Sequence, residues 1–520
     1  MRLAAIDLGT NSFHLVIADT KPSGDFRILA SEKEMVRLGE SGADMKFLTR
    51  EAIERGYNAL RRFKAILDAR GVKSVRAIAT SAIREAENQD EFIRRVRVEL
   101  GITVDVVSGY EEGRLIYLGV LQALPLYNKR TLVIDIGGGS TEYVVGERAN
   151  AKYISSLKIG AIRLTKRFGL AERPDEDDLE EARRYVVGEL ASTAREVRKR
   201  GFDIAVASSG TALSIAAIIA ALRQQSIDNL PERLNRFTFS YSEAKDALRR
   251  IIAFPSPQER KKFLGVDEKR ADIILGGAII LIESMRLLGV KEITISSYAM
   301  REGIIYDYLH NRLPQEKRQH HKLRDVREQS VRHLAEQCNY EKLHADKVAE
   351  LADSIFIQIR RLHGLGADAR EYLRYASILH DIGYHISHAE HHQHSYYIIS
   401  NADLLGFTHE EVEIIANIAR YHRKSHPKLK HEGFMRLQTD EHREMVRKLA
   451  AILRLAESFD RGNIGIVRSV QCKIGKKTVD FLLKAIRGAH RDLELEIWGA
   501  ERKKMLFQEV YTREVRLREV

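Results

Sequence analysis

Two cysteines in 520 residues, Cys338 and Cys472, are too few for a disulfide framework or a thiolate zinc cluster. That shortage fits a reducing compartment, with the cytoplasm the expected one. Long apolar runs are also missing. No stretch of 18 apolar residues occurs, so no membrane-spanning helix is expected. The chain opens on the strand-like Leu3-Ala4-Ala5-Ile6 without a basic segment leading into an apolar one, which argues against secretion. Nucleic-acid recognition motifs are lacking too, so neither nucleic acid nor membrane is an expected partner. What the chain has in excess is positive charge, 85 Lys+Arg against 73 Asp+Glu for a formal net charge of +12. Such a balance favours a polyanionic ligand and says nothing of fold. A length of 520 residues with 44% hydrophobic content supports about three or four domains.

Residues 5–17 align without gaps onto residues 133–145, so a module is duplicated. Each copy reads as an apolar strand, an aspartate (Asp7 or Asp135), a glycine-containing turn and a second apolar strand, which is a hairpin carrying a carboxylate at its tip. After the first hairpin the spacing predicts a helix from Arg50 to Ala69, a strand Val75–Ala79, a helix Asp90–Leu100, a strand Thr103–Val107 and a helix Glu111–Gln122. Strands Ile204–Ala207 and Ile293–Ser296 mark the second copy. Mixed strands and helices define an α/β fold in two halves, residues 1–125 and 126–310. Beyond residue 310, where 17 of the 19 histidines lie, amphipathic helices predominate and predict an all-helical domain over residues 318–468. The polar, proline-containing segment Asn311–Lys317 reads as the linker. Alternation in Asp492-Leu493-Glu494-Leu495-Glu496-Ile497 predicts a strand in a small strand-rich C-terminal module, residues 469–520.

Gly137-Gly138-Gly139-Ser140-Thr141 offers successive N–H groups unobstructed by Cβ atoms, as a phosphate requires. The matching tip of the first copy supplies Asn11 and Ser12. A third turn, Ser209-Gly210-Thr211, opens a small-residue helix whose N–H groups also suit an anion. Arg84, in Thr80-Ser81-Ala82-Ile83-Arg84, is suited to a bidentate phosphate contact. Asp7 and Asp135 each end an apolar strand, where a hard cation such as Mg2+ (or Mn2+) would find carboxylate oxygens beside phosphate oxygens. Ser108-Gly109-Tyr110-Glu111 has the spacing of a capping box, which gives Glu111 a structural role. Glu112 shares a helix face with Leu115, Ile116, Gly119 and Val120 and therefore points inward, where a carboxylate needs a task or a partner.

These residues resemble the exopolyphosphatase/guanosine pentaphosphate phosphatase family, through Asp7-Leu8-Gly9-Thr10-Asn11-Ser12-Phe13-His14, Ala79–Arg84, Ser108–Glu112, Asp135–Glu142, Arg270-Ala271-Asp272 and Arg301-Glu302-Gly303. The resemblance implies a duplicated ribonuclease-H-like (actin-like) module of the acetate/sugar-kinase/heat-shock/actin superfamily, and metal-dependent release of terminal phosphate from inorganic polyphosphate or pppGpp. It assigns the general base to Glu112, the residue that the helix-face count also selects. It gives Glu142 a part in orienting water or holding the metal. A different class of reading, an actin-like nucleotide-binding scaffold without rapid turnover, uses the same two hairpins.

In the helical region His344 (four before Val348, seven before Leu351), His380 (seven after Leu373) and Asp460 (four after Ala456) fall on core-facing positions. With Asp381 they resemble the HD superfamily of metal-dependent phosphohydrolases, which implies a second divalent metal there. His394 and His422 match positions that hold phosphate or a further metal in that superfamily. Long members of the exopolyphosphatase family use HD-like domains for dimerisation, so a homodimer is expected.

Overall fold

The computed structural model describes residues 1–20, 26–41, 45–223, 234–262, 265–312, 326–402, 404–437, 439–486 and 493–520. It forms two compact units, Met1–Val326 and Arg327–Val520. The first contains two sheets. One has the order β3-β2-β1-β4-β5, built from β1 (Arg2–Leu8), β2 (Ser12–Thr20), β3 (Phe26–Met35), β4 (Ser74–Ala79) and β5 (Val104–Val106). The other has the order β10-β11-β9-β6-β7-β8, from β6 (Arg130–Ile136), β7 (Thr141–Glu147), β8 (Asn150–Leu157), β9 (Ile204–Ser208), β10 (Thr238–Ser240) and β11 (Glu292–Ile295).

The repeat read from the sequence is a repeat of pairing. β1 runs antiparallel to β2 and parallel to β4, as β6 does to β7 and β9. In the first hairpin Asp7 stands opposite His14, and in the second Asp135 stands opposite Glu142. The central strands are buried on both faces, which explains their nearly unbroken apolar runs. Ala4, Ile6 and Leu8 face a core with Phe63 and Phe92, while Leu3 and Ala5 face one that also holds Val133, Val144, Leu115 and Ile305. This last core lies between the two sheets and is filled by the helices Gly109–Ala123 and Met300–Arg312. These helices cross at their backbones. A Cβ on Gly119 would lie 1.7 Å from the Ala299 carbonyl oxygen, and one on Gly303 would lie 1.8 Å from that of Leu115, so only glycine fits at either place.

Most elements lie where periodicity put them, including Arg50–Ala69, Gln89–Leu100 and Gly109–Ala123. The capping box at Ser108 is only half formed. Ser108 Oγ accepts from Glu111 N at 3.2 Å, but the Glu111 carboxylate turns instead to Arg114, which also holds Asp307. Arg114 competes successfully because it offers two charge-assisted donors one helical turn away. The linker segment belongs to the helix Met300–Arg312 up to Arg312, and its remainder lies outside the described residues.

The second unit is more helical. The helices Lys342–Gln358, Ala367–Leu379, His409–Arg420 and Asp440–Ser458 pack around one core. A three-stranded sheet, β12 (Val467–Ile474), β13 (Thr478–Ala485) and β14 (Glu514–Glu519), presents Val470, Phe481 and Val515 to that same core. The strand expected over Asp492–Ile497 is corrected. Asp492 lies outside the described residues, and Glu494–Lys503 is a helix that buries Glu496 and Ala500 behind Leu493, a three-four spacing. Alternation misled because Leu495 is the exposed residue and Glu496 the buried one. No described helix is long and apolar enough to cross a membrane.

Candidate active site

The two hairpin tips meet. A Cβ on Gly139 would lie 2.6 Å from Ser81 Oγ and 2.9 Å from Thr10 Oγ1, and one on Gly138 would lie 3.2 Å from Thr10 Cβ. The second tip is held from behind. The Gly137 and Gly138 carbonyls accept from Ala161 N and Ile162 N at 2.9 Å, and the Gly139 carbonyl accepts from Arg163 Nε at 2.9 Å. In a trans peptide the next N–H points opposite to the carbonyl. The N–H groups of Gly138, Gly139 and Ser140 are therefore turned together, away from these partners, as an anion nest requires. Asn11 Nδ2, at the first tip, is buried without a hydrogen-bond partner.

Three buried carboxyls, Glu112, Asp135 and Glu142, and the half-buried Asp7 surround this junction, and their proton affinities are all raised. Burial pushes Asp7 up to about 8, with Arg301 opposing and Glu112 and Asp135 adding to the effect. Asp135 rises to about 6 by burial, held back by the hydrogen bond that the Ser208 hydroxyl donates to its Oδ2. Glu112 rises to about 7 by burial against the pull of Arg84. Burial, then the charges of Glu112 and Asp135, drives Glu142 well above the usual range, and its Oε1 accepts from Ser156 Oγ at 2.7 Å. Like charges gathered in a closed space favour either protons or a cation.

The predicted phosphate contacts divide. Gly138, Gly139, Ser140, Asn11 and Ser12 lie at the joined tips. Gly137 is used in closing its own turn, with its N–H on the Ser140 carbonyl at 3.0 Å. Thr141 is corrected, since it is fully buried with its hydroxyl donating to the Ile159 carbonyl. Thr211 packs against Gly277 instead of facing the cleft. Ser209 takes φ +75°, in the left-handed region, and donates to the Ile136 carbonyl at 3.2 Å. Gly210 lies under the Arg270 guanidinium, where a Cβ would come within 1.9 Å of Nη2. Arg84 is already engaged. Its Nη1 donates to Glu112 Oε2 and to the Val107 carbonyl, both at 2.9 Å.

Three cleft groups had no role read from the sequence. Arg270 is buried, its Nε without a hydrogen bond but 3.9 Å from Asp267 Oδ2. Arg301 donates to His14 Nδ1 at 3.3 Å. Lys33 stands opposite His14 on β3, with its side chain exposed. The motifs Arg270-Ala271-Asp272 and Arg301-Glu302-Gly303 were visible, but the fold alone shows that distant segments bring these cations to one place.

In the second unit Asp381 joins two groups of potential metal ligands, His344 with His380 and His391 with His422. Asp381 Oδ2 lies 3.8 Å from His344 Nε2 and 3.5 Å from His380 Nε2, and Oδ1 lies 3.3 Å from His391 Nε2 and 3.5 Å from His422 Nε2. His380 and His422 each direct Nδ1–H to the carbonyl three residues back, Ser377 and Ala419, at 2.8 and 2.7 Å. That fixes the tautomer so that Nε2 presents a lone pair, the usual backing of a metal-binding imidazole. Burial lowers the pKa of both rings. Burial opposes the charge of Asp381, but His380, His391 and His422 outweigh it and hold the carboxylate far below its usual range. His380 Nε2 and Asp381 Oδ1 are buried without hydrogen-bond partners, so the donor set fits a divalent metal. Asp460 reaches the group through His344 Nδ1 at 2.8 Å. His394 is corrected: it lies outside the cluster, and His391 takes that place. Counting back four and eight from the buried Ile399 gives the buried Ser395 and His391, the face on which a ligand had to be sought.

Comparison with known proteins shows the family. The model of the Ppx/GppA phosphatase family matches residues 16–312, and that of Ppx/GppA phosphatase domain III matches residues 326–504. An exopolyphosphatase from Cytophaga hutchinsonii shares 30% identity at a TM-score of 0.56, over 60% of this chain and 98% of that one. The Aquifex aeolicus member of the Ppx/GppA family shares 30% identity at a TM-score of 0.52, over 60% of this chain and 99% of that one. The chain belongs to the Ppx/GppA phosphatase family. It is a hydrolase of phosphoanhydride bonds, with the exopolyphosphatase/guanosine-pentaphosphate phosphatase activity typical of that family.

Proposed function

We propose that the cleft releases terminal orthophosphate from inorganic polyphosphate, with Glu112 as the general base. The observation that carries this reading is the junction itself, a glycine turn whose carbonyls are held from behind, beside the buried carboxyls of Glu112, Asp135 and Glu142 and the half-buried one of Asp7. The terminal phosphate rests on Gly138, Gly139, Ser140, Asn11 and Ser12. Arg84 exchanges part of its bond to Glu112 for a phosphate oxygen, and the freed carboxylate takes a proton from water as the water oxygen attacks phosphorus. The P–O bond to the next phosphate breaks, and the shortened chain departs with the electron pair. Asp7, Asp135 and Glu142 would hold Mg2+ or Mn2+, which when bound supplies charge neutralisation for the phosphoryl oxygens. Hydrolysis of the 5′-terminal phosphate of pppGpp is the alternative for the same cleft. The cations Lys33, Arg270 and Arg301 beside the tips favour the polymer, because a repeating polyanion engages several of them at once. Phosphate release from long-chain polyphosphate and from pppGpp, measured side by side, tests the choice. Faster turnover of pppGpp would reverse it.

The first unit is read as a duplicated ribonuclease-H-like, actin-like module with halves at 1–125 and 126–310, and residues 318–468 as an HD-like domain followed by 469–520. The His344, His380, Asp381, His391 and His422 cluster supports a divalent metal in the HD-like part. A cytoplasmic homodimer completes the proposal.

A further inference from the structure

His14 follows Ser12 by two residues on β2, so the two side chains share one face of the strand. Its ring is bonded on both sides: Nε2 lies 2.7 Å from Ser12 Oγ, and Nδ1 lies 3.3 Å from Arg301 Nη1. A guanidinium can only donate. Nδ1 must therefore offer its lone pair to Arg301, and the single hydrogen of the neutral imidazole sits on Nε2. Nε2–H then donates to Ser12 Oγ. The serine oxygen is committed as an acceptor on that side, and its own proton is turned away from the ring.

We propose that His14 is a positioning residue that makes Ser12 an obligate proton donor to the terminal phosphate, as the middle member of a one-way chain from Arg301 through His14 to Ser12. Phosphate oxygens only accept from a serine hydroxyl, so a serine free to rotate would spend part of its time with a lone pair facing the anion. The chain removes that orientation before substrate arrives. In the duplicated hairpin the same place is held by Glu142, so the relay belongs to the first tip alone. The inference rests on the reading that Ser12 contacts phosphate.

A double-mutant cycle on the full-length protein tests it, with KM and kcat for polyphosphate hydrolysis measured in Ser12→Ala, His14→Leu, His14→Gln and the Ser12→Ala/His14→Leu pair. Each of Ser12→Ala and His14→Leu is expected to raise KM on the order of tenfold, since one hydrogen bond to a charged group is lost or misdirected, with kcat little changed. His14→Gln should recover most of the loss, because an amide can accept from Arg301 and donate to Ser12. The pair should be no worse than Ser12→Ala. If Ser12→Ala leaves KM unchanged, the phosphate role of Ser12 is wrong and the inference falls with it. If Ser12→Ala raises KM but His14→Leu does not, or adds its own full effect in the Ser12→Ala background, the inference alone is overturned.

Discussion

Arg84 Nη1 stands 2.9 Å from Glu112 Oε2, on a carboxyl that is buried and otherwise inclined to hold its proton. Two effects of opposite sign meet here. Burial raises the pKa of Glu112, and the guanidinium draws it back to about 7, the range in which a base is both deprotonated and able to accept. A group predicted to bind phosphate is thus also the group that tunes the base.

The first prediction concerns that pair. kcat/KM should rise with pH as Glu112 loses its proton, with its acid limb near the pKa of about 7 that Glu112 has in the free enzyme. Replacing Arg84 by Gln removes the positive charge that favours the carboxylate, so the proton is held more tightly and the limb moves to higher pH, by about one unit or more. A pH–rate profile of Arg84→Gln whose limb stays in place or moves to lower pH contradicts the pairing.

The second concerns Asp135. Asp135→Ala should fold, as judged by circular dichroism, and lose the dependence of phosphate release on Mg2+ or Mn2+ together with most of its rate. A variant with the wild-type metal-activation curve shows that the carboxylate holds no cation.

A third prediction separates Asp381 from its neighbours. Because Asp381 belongs to both ligand groups and His391 to one, Asp381→Ala should lower the manganese content of the full-length protein more than His391→Ala does, with elemental analysis as the readout. Wild-type protein that retains no metal after incubation with Mn2+ removes the basis for a metal centre.

The sequence already displayed the paired hairpins, the helix bearing Glu112 and the histidines His344 and His380, because each depends on a local period or an internal repeat. Arg270, Arg301 and Lys33 were not assignable, since their importance arises from long-range placement around one cleft. Thr141 failed for a related reason: its position in the turn motif is local, but the acceptor that takes its hydroxyl, the Ile159 carbonyl, comes from elsewhere. His391 was within reach of helix-face counting from Ile399, had the count started at the buried end.

The fourth prediction is steric. A methyl group at residue 210 would lie 1.9 Å from Arg270 Nη2, so Gly210→Ala must displace a buried guanidinium. A loss of about 1–3 kcal/mol is expected from overpacking, together with weaker substrate binding. Unchanged thermal unfolding and KM would mean that Arg270 is free to leave its place.

The most direct test of the account compares two adjacent carboxyls in the same assay. Glu112→Gln preserves size but cannot take a proton from water, so polyphosphate should still bind while kcat falls by ~10²–10⁴. Glu111, tied to Arg114 at the exposed side of the helix, should tolerate the same change with most activity retained. Single-turnover phosphate release by Glu112→Gln and Glu111→Gln at equal substrate saturation decides the matter. The predicted result is a slow Glu112→Gln beside a nearly normal Glu111→Gln, and an active Glu112→Gln beside an inactive Glu111→Gln would contradict the assignment of the base.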